Sequence, residues 1–74
     1  MREYTIVLEW DAEAEAFSVV VPALPGCATF GRTREDALAN AQEAIELYLS
    51  VLRDEGTPFP DDIPVTTATV EVAA

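Results

Sequence analysis

The 74-residue sequence predicts an α+β domain of order β-β-β-α-β, a small mixed sheet with one helix packed on one face. Residues 4–10 and 17–21 alternate apolar and other side chains with the period of two that belongs to strands. Between Thr33 and Glu55 a single apolar stripe recurs at offsets of three and four, the spacing of one helix face. A run of valine and threonine, residues 65–72, follows and reads as the last strand.

The first strand sets Tyr4, Ile6, Leu8 and Trp10 in one row and Thr5, Val7 and Glu9 in the other. The acidic stretch 11–15 is poor in β-formers and joins it to a second strand with Phe17, Val19 and Val21 on one face, which makes an antiparallel hairpin. Pro22 and Pro25 lack the donor a ladder needs, and Gly26 permits a turn, so the chain leaves the sheet there. Residues 27–31 are β-compatible, with Phe30 the one bulky side chain, and predict a third strand ending at Gly31.

Thr33 stands three residues before Asp36 in a capping arrangement, and Glu35 and Asp36 suit the positive end of a helix dipole. Leu38, Ala41, Ile45, Tyr48, Leu49 and Leu52 draw the core stripe, while Leu47 and Val51 widen it on one flank. Gly56 caps the helix and Pro58 prevents its resumption. Residues 57–64, with three prolines and two aspartates, predict an irregular connection. A helix between strands makes a crossover, so the last strand is expected parallel to an earlier one with a right-handed connection. One helix covers one face, and Val7 and Val20 lie on the rows opposite it. Together with Leu47 and Val51 they are the candidate self-association residues.

Residues 1–74 are expected to form one domain. A chain of this length buries only about 60% of the surface it exposes unfolded, so a staple or a partner is needed. The single cysteine and the absence of histidine leave no internal disulfide and no four-ligand zinc site, and homo-oligomerisation becomes the expectation. Fourteen acidic residues against 4 arginines give a formal charge of −10, which repels phosphate and disfavours direct nucleic-acid binding. The same charge favours rapid association with a basic protein, or serves solubility alone. No apolar run approaches the roughly 20 residues of a membrane span, and no basic leader precedes an apolar stretch, so a soluble cytoplasmic chain is expected.

The residues offer little chemistry. Cys27 has no histidine to generate a thiolate and reads as a small buried hydrophobe. Glu9, Asp11, Glu13 and Glu15 invite a metal or acid/base reading, but at a hairpin tip no rigid scaffold holds such groups in catalytic geometry. Gly26, Gly31 and Gly56 lack the spacing of a phosphate loop. A non-enzyme without cofactor or metal is the expectation.

The segment Phe17-Ser18-Val19-Val20-Val21-Pro22-Ala23-Leu24-Pro25-Gly26-Cys27, continuing to Gly31-Arg32-Thr33 and the alanine-rich helix opening at Ala37-Leu38, resembles the HicB-like antitoxin domain. The resemblance covers roughly residues 4–60. It implies a partial ribonuclease H-like fold that does not cleave RNA and that neutralises HicA, a small basic ribonuclease toxin. Many members add a DNA-binding segment after the last strand; none follows here, so operator binding is not expected. The family turn commonly carries Asp where this chain has Ala23.

Pro22, Pro25, Gly26, Cys27, Gly31 and Thr33 match as fold-makers. The candidate partner-binding residues are the exposed acids Asp11, Glu13 and Glu15, with Leu24 and Pro25 supplying apolar contact. The alternative is a stand-alone oligomeric protein with no toxin partner and an unrelated binding or structural role. A metal-dependent hydrolase using Glu9 and Asp11 ranks last.

Overall fold

Three antiparallel strands carry one long helix in a computed structural model that describes residues 1–74. The strands are β1 (Val7–Asp11), β2 (Ala16–Val20) and β3 (Ala28–Gly31), in the order β1-β2-β3. Cross-strand register pairs Leu8 with Val19 and Trp10 with Phe17, and on the second ladder Val19 with Thr29 and Phe17 with Gly31. This puts Ile6, Leu8, Phe17, Val19 and Val21 on the helix side, as period-two alternation requires. Residues 4–6, expected in the first strand, precede its first pair. Val21 opposite them faces β3 by alternation, its N–H donating to the Cys27 carbonyl, and the next position able to face β1 is Pro22, which has no N–H to give.

Helix α1 (Arg34–Glu55) begins where its sequence says it should. The Thr33 hydroxyl accepts from the Asp36 N–H at 3.0 Å, satisfying one of the orphan donors of the first turn. At the other end Gly56 adopts φ 72°, and the N–H groups of Gly56 and Thr57 donate to the carbonyls of Arg53 and Leu52. This paired closure needs a left-handed residue, which glycine adopts without steric cost.

The helix can lie close because the facing residues are small. Ala37 and Ala41 are buried against Val19, and a Cβ on Gly31 would stand 2.6 Å from Ala37 Cα and 2.8 Å from Asp36 C. A second core cluster, Val21, Leu24 and Cys27, packs under Ala44, Ile45, Tyr48 and Leu49. The helix is centred on β3 and β2 and leaves β1 largely uncovered. Leu38, expected in the core stripe, is therefore 38% exposed. Only nine of 74 residues are buried, too few for burial to saturate the apolar surface this chain carries.

The α+β class, the strand-strand-strand-helix order and the packing on one face hold. The fourth strand does not form, so the sheet is antiparallel throughout and not mixed. Residues 57–62 return to the start of β1, where the Tyr4 hydroxyl donates to the Pro60 carbonyl at 2.6 Å. There Asp62 also accepts from the Thr5 N–H and hydroxyl at 2.8 and 2.7 Å. From Ile63 onward every residue is exposed, and no backbone group finds a backbone partner. Strand propensity alone does not build a ladder, and residues 63–74 leave the β1 edge of their own sheet unpaired.

Candidate partner-binding surfaces

The hairpin tip is shaped by its own acid. Asp11 Oδ1 accepts from the Glu13 and Ala14 N–H groups at 3.0 and 3.2 Å, an Asx turn that closes the loop locally. Glu15 then takes φ 51°, a left-handed conformation that reverses the chain into β2. Asp11, Glu13 and Glu15 are all exposed. Asp11 thus holds the turn, while the Glu13 and Glu15 side chains accept no hydrogen bond and project their charge outward. With Glu9 they form no group of three or more side chains able to grip a metal ion.

At the opposite end of β2 the residues after it make a compact turn. Leu24 N–H donates to the Val21 carbonyl and Cys27 N–H to the Leu24 carbonyl, both at 2.9 Å. Gly26 takes φ 83° to close it. The turn is pinned to the helix, because the Tyr48 hydroxyl donates to the Pro25 carbonyl at 2.9 Å. Leu24 is 0% exposed and belongs to the core, which corrects its expected role as a contact residue. In a loop no periodicity distinguishes an inward side chain from an outward one. Pro25 and Gly26 remain exposed. Cys27 is buried beneath the turn, and burial pushes its thiol pKa up, the opposite of what a nucleophile needs.

Beside the turn a groove is lined by Gly26, Cys27, Leu47, Tyr48, Val51 and Leu52. Leu47 and Val51 are 67% and 49% exposed there, an apolar flank that sequence periodicity had marked. Val7 and Val20, by contrast, pair directly across β1 and β2 on the open face of the sheet. Exposed Phe30 shares that face. The four candidate self-association residues therefore make two patches, one on the helix flank and one on the open sheet face, with Ala28, the partner of Val20 on β3, also lining the groove beside Leu47 and Val51. Sequence reasoning passed over Trp10, 53% exposed and in edge-on contact with Phe17 at 4.9 Å, because alternation assigned it to the core row.

The molecule thus defines a class: a small α+β domain that offers an acidic tip, a proline turn and apolar surface. Residues 4–72 match the family model of the HicB-like antitoxin of bacterial toxin-antitoxin systems. The UPF0150 protein Ta0767 of Thermoplasma acidophilum is 40% identical over 60 residues, 81% of this chain and 86% of that one. The UPF0150 protein ssr1765 of Synechocystis is 39% identical over 59 residues, covering 80% and 73% of the two chains. The crystal structure of the N-terminal domain of Burkholderia pseudomallei antitoxin HicB superposes with a TM-score of 0.62 at 31% identity. It spans 86% of this chain and 69% of that one. The chain belongs to the HicB-like antitoxin family. No helix is long and apolar enough to cross a membrane.

Proposed function

We propose that this chain binds and neutralises a small basic ribonuclease toxin of the HicA type by covering its active surface. The observation that carries the reading is the pairing of family membership with a charge of −10, part of it displayed at a tip whose Glu13 and Glu15 have no internal partners. Such charges raise the rate of encounter with a cationic protein and fix its orientation. The apolar contact comes from Pro25 with Leu47 and Val51, and Leu24 supports it from below.

The acidic tip and the proline turn lie at opposite ends of β2, five residues apart at about 3.3 Å each, or about 17 Å. A standard interface buries about 800 Å² per partner, a patch about 30 Å across, so one toxin spans both ends. Action is by occlusion, without turnover. Homo-oligomerisation accompanies it, and the exposed Val20 and Phe30 on the open sheet face lie outside the toxin footprint. That face is also the observation favouring the second reading, a stand-alone oligomer with no toxin.

The test is co-expression with the product of the adjacent reading frame, reading complex mass and rescue of growth. Reversing Glu13 and Glu15 to lysine spares the Asp11 turn and should slow association at least tenfold at low salt and flatten its salt dependence. An association rate unchanged at every ionic strength would remove the acidic tip from the interface.

A further inference from the structure

We propose that residues 63–74 form an arm that adds as a fourth strand to the β1 edge of a second copy of this chain, exchanged reciprocally in a two-fold dimer. The inference is independent of the toxin reading and concerns a different surface.

The arm is built for pairing and has none. Val65, Thr66, Thr67, Thr69, Val70 and Val72 have high strand propensity, yet Val70 and Val72 are 82% and 80% exposed. The chain measures 50 Å along its longest axis, and its radius of gyration is 14.5 Å, against about 11 Å for a compact domain of this length. The arm is therefore extended away from the body. Its departure is fixed by the Asp62 carboxylate on Thr5 and by Pro64, which restricts Ile63 to extended backbone.

The same fold presents a receiving slot. β1 is an edge strand, and an unpaired edge is a template for another chain. Because the helix is displaced toward β3, an apolar groove lies open between the start of β1 and the helix, lined by Tyr4, Ile6, Leu38, Ile45, Leu49 and Phe59. A strand laid along that edge would place alternate side chains in the groove. At about 3.3 Å per residue the 12-residue arm reaches about 40 Å, more than twice the length of β1.

Charge selects the arm as the contact between copies. Two bodies that share a charge of −10 repel face to face, whereas residues 63–74 hold one ionisable side chain, Glu71. Reciprocal exchange is isologous and closes at two subunits, leaving no free arm to propagate a fibre.

Light scattering and amide hydrogen exchange on the full chain, from 1 to 100 μM, test this. The expected result is a dimer of twice 8.0 kDa, with the amides of residues 66–72 protected at least tenfold more at the high concentration. The double variant Thr67→Pro/Thr69→Pro removes ladder donors at exposed positions whose backbone makes no hydrogen bond within the chain. It should raise the dimer dissociation constant at least tenfold and leave the helical circular dichroism unchanged. Three results would each overturn the proposal. One is a monomer at every concentration, and another is a dimer in which the amides of residues 66–72 exchange as freely as in an unfolded chain. The third is a dimer that survives the proline variant, which would move the interface to the Val7 and Val20 face.

Discussion

Replacing Gly31 with alanine puts one methyl group where the helix and sheet meet most closely. A Cβ there would lie 2.6 Å from Ala37 Cα and 2.8 Å from Asp36 C, when carbon–carbon contacts rest at about 3.5–4.0 Å. The shortfall is about 1 Å against backbone, so no side-chain rotation relieves it. Overpacking costs about 1–3 kcal/mol, and a backbone neighbour places this substitution at about 2–3 kcal/mol. Unfolding entropy of about 2.1 cal/mol/K per residue gives about 155 cal/mol/K for the chain, so Tm should fall by about 13–19 °C. Thermal denaturation followed by circular dichroism at fixed protein concentration reads this directly. Gly26→Asn is the comparison: its φ of 83° suits asparagine and nothing lies within 4 Å, so it should lose less than about 6 °C. Ala37→Gly should fail to rescue Gly31→Ala, since the obstruction is the backbone of residue 37. A Tm for Gly31→Ala within 3 °C of the parent would refute the account of how the helix seats.

Tyr48→Phe removes the hydroxyl that pins the Pro25 carbonyl and should cost about 1 kcal/mol, or about 6 °C in the same assay. The Thr5 N–H and hydroxyl hold the Asp62 carboxyl below its ordinary pKa, so its contribution is present above about pH 4 and is lost as pH falls through the lowered folded value. Asp62→Asn should therefore flatten the acid limb of a urea-midpoint profile from pH 7 to 2.5 and leave the neutral limb unchanged in slope. Cys27, buried and with its thiol pKa raised, should alkylate at least tenfold more slowly at pH 8 in native buffer than in urea; equal rates would place it at the surface.

What could be read from the sequence was what is encoded locally. Thr33 and Gly56 bound the helix because each cap acts within one turn, and the structure uses both. Pro22, Pro25 and Gly26 marked the exit from β2 because missing donors and a left-handed backbone are properties of single residues. Contacts distant in the chain left no such mark. The Thr5–Asp62 pair spans 57 residues, and nothing near either residue announces it. Leu24 carried no periodic signal because it lies in a turn, and Leu38 carried a misleading one because the helix sits off-centre over β3. Residues 65–72 showed the propensity of a strand, but pairing depends on an edge supplied from elsewhere.

The separation of the glutamate-bearing loop from the proline turn gives any ligand touching both a built-in asymmetry. Attraction at the loop decays within a Debye length, about 10 Å at 0.1 M salt, whereas contact with Leu47 and Val51 is strengthened by excluded salts such as sulfate. Rising ionic strength would then peel such a ligand from one pole while the other stays seated. Release would proceed as a hinge opens, from the charged pole toward the greasy one.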